Sequence, residues 1–178
     1  MNTALAIWLL ASGAPVPQHE YGYINYAPDR SYTASEKEQS IGMAILMDKQ
    51  VFGLGHIFDV LKPCAVSLDD CVVFNGMAIK RLPPEAAVGK TYKEGRFEFK
   101  LTSNSALDLL GRTFHVIRVD VFNDGMTSNA YLFDRDRGVI AIIMKHAENK
   151  EIPESIFFLR ADKGLYASSE VGKNNGKD

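Results

Sequence analysis

The sequence predicts a mainly β protein: an antiparallel sheet arranged as a sandwich, a partly closed barrel or a curved sheet, with at most one substantial helix. An α+β arrangement is the alternative. Three observations carry this. Runs of β-branched and aromatic residues recur along the chain, and most of the 14 glycines and 7 prolines fall between those runs. Several runs also alternate apolar with polar residues, the period of two that turns one strand face toward a core. About eight to ten short strands at hairpin spacing follow from these signals.

The first element is not part of that sheet. An uninterrupted apolar run from Ala4 to Ala11 ends at the small residues Ser12 and Gly13, which reads as a secretory leader over residues 1–13 with Ala14 as the first mature residue. The run is too short to span a bilayer, so no integral membrane segment is expected once the leader is removed. The mature region, residues 14–168, reads as one β-rich domain, long enough to bury a core without metals or dense cross-linking.

Tyr21 to Tyr26 suits a strand, and a polar segment follows from Ala27 to Ser35. Ser35 and Glu38 have the spacing of a capping box, and Ile41, Ala44 and Ile45 then share one helical face, so a helix over 36–47 is the favoured reading. Gly42 weakens it, and Met43 to Met47 reads alternatively as a buried strand turning at Asp48 to Gln50 into Val51 and Phe52.

Cys64 and Cys71 flank a predicted turn near Ser67 and Leu68. Antiparallel pairing of 64–66 with 69–71 would set the two thiols opposite one another and permit a disulfide worth about 2.5 kcal/mol by loop closure. That agrees with an oxidising compartment; two reduced, buried thiols in a cytosolic protein are the rival reading.

Asn75 and Gly76 lie between apolar triplets, the strongest local hairpin signal, because both tolerate the positive φ of a type I′ turn. Residues 81–89, with Pro83 and Pro84, read as a connecting loop. Phe97, Phe99 and Leu101 alternate with Arg96, Glu98 and Lys100 and predict a half-buried strand. Ser103 to Leu110 predicts a short helical turn ended by Gly111. Thr113 to Phe122 predicts a strand with His115, Ile117, Val119 and Val121 on one face, turned by Asn123 to Gly125.

Residues 131–141 resemble 157–167 at an offset of 26, each reading as a strand, an Asp with a basic residue and a Gly, then a second strand. Two copies predict repeated hairpins rather than a solenoid. Val139 to Met144 has no polar alternate and should lie at the sheet centre with both faces covered. The tail 169–178 is expected to be disordered.

Charge excludes more than it suggests. Twenty basic and 22 acidic residues give a net charge of −2, spread along the chain without the basic patch that nucleic acid requires, so no nucleic-acid partner is expected.

No phosphate loop, dinucleotide fingerprint or nucleophile elbow occurs. His19, His56, His115 and His146 are not spaced as ligand pairs, and Asp134 with Asp136 reads as solvated turn carboxylates, so neither metal nor cofactor is expected. A nucleophilic Cys64 or Cys71 activated by His56 is the weaker explanation of those residues. Tyr21, Tyr23, Tyr26 and Tyr32 could form an exposed recognition surface, since tyrosine buries area at low entropy cost while keeping a polar tip; the alternative is the rim of a β core.

The resulting expectation is a non-catalytic binding domain of the bacterial cell envelope, periplasmic or secreted. It would engage a protein partner, as an inhibitor or immunity-type protein does, or carry an apolar small molecule. The rival class is a hydrolase using His56, His115 or His146 with an acidic residue, and a third possibility is a structural subunit pairing through a sheet edge.

Overall fold

The computed structural model describes residues 20–25, 42–55, 57–109, 111–145 and 154–168. The predicted leader, the capping box at Ser35 and Glu38, Tyr26, Tyr32, His19, His56, His146 and the tail lie outside these residues. The described residues contain no helix, and so none long and apolar enough to cross a membrane. They form thirteen strands: β1 (Glu20–Asn25), β2 (Gly42–Leu46), β3 (Val51–Leu54), β4 (Ile57–Val60), β5 (Lys62–Pro63), β6 (Cys71–Phe74), β7 (Met77–Lys80), β8 (Thr91–Glu94), β9 (Phe97–Leu109), β10 (Arg112–Asn123), β11 (Met126–Asp134), β12 (Gly138–Lys145) and β13 (Glu154–Leu159).

Ten strands build one antiparallel sheet in the order β4-β3-β2-β1-β13-β12-β11-β10-β9-β8, and the other three build a small sheet in the order β5-β6-β7. β12 lies well inside the large sheet, and its residues Gly138 to Ile143 are all buried, as the unbroken apolar run predicted.

The large sheet curves around the small one. Register shifts place an extra residue at Thr102, at Ser128 and at Ile140, in three consecutive ladders of the β9 to β12 meander, and each such bulge bends its strand and increases the local twist. Both ends of the large sheet consequently reach the small sheet. At the β4 end, Asp59 accepts the Asn75 amide at 2.6 Å; at the β8 end, Glu94 pairs with Lys80 at 2.5 Å. Phe52 of β3 stacks on Phe74 of β6 with centroids 4.5 Å apart, a pairing worth about 1 kcal/mol beyond its buried area.

The outer edge of β7 shows how the two sheets join. Around the two-residue turn at Asn75 and Gly76, both with positive φ, the hairpin register directs the N–H and C=O groups of Ala78 and Lys80 away from β6. Strand β11 supplies side chains in place of a neighbouring strand. The fully buried Asn129 accepts from the Ala78 amide and donates to the Ala78 carbonyl, both at 3.0 Å. Two residues along, the Tyr131 hydroxyl accepts from the Lys80 amide at 3.3 Å and donates to the Lys80 carbonyl at 2.9 Å. Ser128, the bulge residue, donates to the Gly76 carbonyl. An edge that would otherwise bury unpaired backbone groups is thereby satisfied.

A second closure involves the two echoing segments. The Val139 amide donates to the Leu165 carbonyl, and the Gly164 amide to the Arg137 carbonyl. The Tyr23 hydroxyl sits between, accepting from the Leu165 amide at 3.2 Å and donating to the Val139 carbonyl at 3.1 Å. Gly138 and Gly164, equivalent in the echo, are each required by close approach. A Cβ on Gly138 would collide with the backbone of Leu165 and Ala167, and one on Gly164 with the Val139 carbonyl.

Several expectations are corrected. Residues 42–46 of the predicted helix are a strand: Met43 and Ile45 are buried at a period of two between β1 and β3, so tertiary pairing and the weakness of Gly42 overrule the local helical pattern. Residues 103–109 form no helical turn but extend β9, held by a continuous ladder to β10, although Gly111 does make the turn with φ of +74°.

The first echo copy is a hairpin, and Asp134, expected to be a solvated turn carboxylate, bonds the turn by accepting the amides of Asp136 and Arg137. The second copy does not return as a strand, because residues 164–168 turn back onto the 136–139 turn instead. On β10, Phe114 and Val116 are buried while His115 is exposed, so the predicted face holds only from Ile117 onward.

Candidate functional site

The disulfide expected from the sequence forms. Cys64 and Cys71 are bonded, with Cα atoms 5.4 Å apart, and no free cysteine thiol remains for a nucleophile in this form. The ladder supporting it differs from the expected one. Pairing runs outward, through the Cys64 amide to the Cys71 carbonyl and through Pro63 with Val72. The intervening residues close as a turn, with the Cys71 amide donating to the Ser67 carbonyl.

Of the four tyrosines, Tyr23 is fully buried and both hydrogen-bonding sites of its hydroxyl are used by backbone. It belongs to the core and is not part of an exposed surface. Burial holds its hydroxyl protonated far above the ordinary phenol range, partly offset by the Leu165 amide. Tyr21, on the same face, is half-buried and is raised by burial as well. His115 is exposed on β10, where its backbone amide donates to Asp134.

Two surfaces of the described residues stand out. The first is strand β4, an end strand of the large sheet. Ile57, Phe58 and Val60 are 52, 60 and 56% exposed, which makes this short edge the main concentration of exposed large apolar side chains. Part of that exposure has an internal cause, because the Phe58 ring covers Gly53 across the ladder, 3.4 Å from where a Cβ would be. The edge is also blunted. The Leu61 amide points inward to the Gln50 carbonyl, so alternation turns the Val60 amide outward, and Asp59 caps it at 2.8 Å. The Asn75 amide, then the Val60 amide, hold the Asp59 carboxyl below its ordinary range.

The second surface is a groove of about 260 Å³ between the loop that follows β7 and the faces of β10 and β11. Its floor is the cross-strand pair Ile117 and Phe133. Leu82, Pro83 and Pro84 form one wall, and Tyr166 and Ser168 the other. The loop is pinned by Arg135, whose guanidinium donates to the carbonyls of Pro84 and Ala86.

Tyr166 has a φ of +63°, a strained conformation for an aromatic residue. Its hydroxyl donates to the Leu68 carbonyl in the disulfide-closed turn at 2.6 Å, and burial keeps it protonated well above the usual range. Across the Arg81 to Pro84 ridge lies a wider, more polar depression of about 470 Å³ that contains the Lys80 and Glu94 pair. The sequence reading missed this groove. Its only advance signal was the Pro83-Pro84 loop, since Ile117, Phe133 and Tyr166 look like ordinary strand residues until the sheet brings them together.

No protein-family model matches the chain, and neither does any curated protein or solved structure.

Proposed function

We propose that the chain is an exported, non-catalytic binding domain whose partner is another protein rather than a carried apolar ligand. The observation that carries this reading is the filling of the concave side of the large sheet. Where a carrier would hold its cargo, β6 and β7 pack Val72, Phe74, Ala78 and Ile79 with no exposure, and the space between the sheets is bridged by Asn129 and Tyr131. The grooves that remain lie at the surface, and the 260 Å³ one falls below the 300–1,000 Å³ range typical of drug-sized ligand pockets. The 470 Å³ one, within that range in volume, is an open depression lined by charged residues including the Lys80 and Glu94 pair, and so is ill suited to an apolar cargo. The exposed apolar residues of β4 also suit a protein contact more than a small molecule. The Cys64–Cys71 bridge is compatible with export to an oxidising compartment of the cell envelope.

Native and intact-mass spectrometry of the protein recovered from its host tests the proposal. The expected result is a chain beginning at or near Ala14, lighter by two hydrogens for the disulfide, and free of lipid-sized adducts. A stoichiometric lipid-like adduct would overturn protein docking in favour of carriage. A full-length chain with two free thiols would overturn export.

A further inference from the structure

We infer that the groove over Ile117 and Phe133 is the specificity site of this domain, taking one apolar side chain of a partner protein with a carboxylate beside it. The inference rests on the protein-binding reading and adds the chemistry of the partner.

Size argues for a single side chain. An apolar cavity of about 150 Å³ holds a benzene molecule, so a groove of about 260 Å³ accommodates one aromatic or branched residue but not an acyl chain. The lining agrees, because Leu82, Ile117, Phe133 and the Tyr166 ring supply an apolar floor and walls.

Charge defines the neighbour. Arg81 and Arg135 stand at the groove, and among the described residues neither has a carboxylate within ion-pairing distance. Arg135 uses its guanidinium on two loop carbonyls, which neutralise no charge and leave further N–H donors in the fork. Arg81 is exposed, and among the described residues its hydrogen bonding is through the backbone amide to the Asp70 carbonyl. Two guanidinium groups without an ion-pairing partner flank an apolar slot and complement a carboxylate adjacent to an apolar residue. Asp69 and Asp70 bear on the Tyr166 hydroxyl at the opposite wall and direct that carboxylate to the Arg81 and Arg135 side.

The site is also pre-shaped. Arg135 fixes one wall, and the Tyr166 hydroxyl fixes the other to the disulfide-closed turn through the Leu68 carbonyl.

The test uses two peptides, acetyl-Glu-Phe-Glu-amide and acetyl-Gln-Phe-Gln-amide, titrated into the whole protein while the methyl resonances of Leu82 and Ile117 are followed by NMR. The acidic peptide should shift both methyls saturably at millimolar concentration. The neutral peptide should bind about twofold to fivefold more weakly for each ion pair lost. Arg81→Gln, an exposed change that spares the groove floor, should weaken the acidic peptide by about that factor for one pair and leave the neutral peptide unaffected.

Equal binding of the two peptides, shifts confined to other methyls, or no saturable shift would overturn the inference. A physiological protein partner, once identified, separates the two levels of the argument. If its affinity is unchanged by Arg81→Gln, the groove assignment falls while protein binding stands. If no protein partner exists and an apolar ligand is found bound, both fall.

Discussion

Asn129→Leu tests the mechanism by which the small sheet is attached. Leucine keeps the branched heavy-atom shape of asparagine, with bulkier methyl groups, but can neither accept from the Ala78 amide nor donate to the Ala78 carbonyl, the two 3.0 Å bonds that Asn129 makes while fully buried. Each backbone group left unpaired costs about 1–3 kcal/mol. Two such groups therefore cost about 4 kcal/mol, a large part of the 5–15 kcal/mol typical of a folded domain. At about 2–4 °C per kcal/mol for a chain of this size, the midpoint should fall by about 10 °C.

Urea unfolding followed by circular dichroism measures the total loss, and amide hydrogen exchange locates it, because protection should collapse first at Ala78. The exposed Asn104→Ala is the control and should stay within about 0.5 kcal/mol of the parent. A loss for Asn129→Leu below about 1 kcal/mol, or an Ala78 amide as protected as in the parent, would refute the claim that this side chain stands in for a strand.

Gly138 and Gly111 have φ of +76° and +74°, but only Gly138 is crowded by backbone. Gly111→Ala should cost about 1–2 kcal/mol for the left-handed conformation alone, and Gly138→Ala clearly more by thermal unfolding; equal losses would show that the echoing segments do not pack as described. Removing the disulfide with a paired Cys64→Ser and Cys71→Ser change should cost about 2.5 kcal/mol, with little change in stability as evidence against the bridge.

Tyr23, Tyr131 and Tyr166 are all held protonated chiefly by burial. Their folded-state pKa values lie above the unfolded value near 10, so their contribution is complete below about pH 10 and drains away above it. Stability should fall by about 1 kcal/mol per buried hydroxyl between pH 10 and 11. Phenolate absorbance from these three should appear only as the chain unfolds, and a smooth titration of every tyrosine in the native state would contradict their burial. At the acid end, Asp59 has a folded pKa below its unfolded one. Its contribution is present above pH 4 or so and is lost as the pH falls further; Asp59→Asn should flatten that acid limb in chemical denaturation.

The features legible in the chain were those governed by neighbours. Asn75 and Gly76 make their hairpin because positive φ is a local demand. Phe97, Phe99 and Leu101 are buried because alternation is local too, and Cys64 and Cys71 were close enough for a bridge to be anticipated. The helix expected over 36–47 failed across 42–46, where burial of Met43 and Ile45 between two strands depends on partners that local periodicity does not name. The echo between 131–141 and 157–167 was legible as similarity and misread as two hairpins. Its outcome is a contact in which equivalent glycines face the other segment's backbone.

From its residues alone, the chain determined an antiparallel β architecture, its tight turns and its one cross-link, because strand propensity, side-chain alternation and turn chemistry act over a few residues. The tertiary structure decided that the strands divide into a curved ten-stranded sheet and a three-stranded insert, and that Arg81, Ile117, Phe133 and Tyr166 share a groove. Those outcomes rest on contacts such as Asn129 with Ala78, 51 residues apart, and Tyr23 with Leu165, 142 apart. Their energy comes from satisfying buried backbone groups that become unpaired only when the sheets meet.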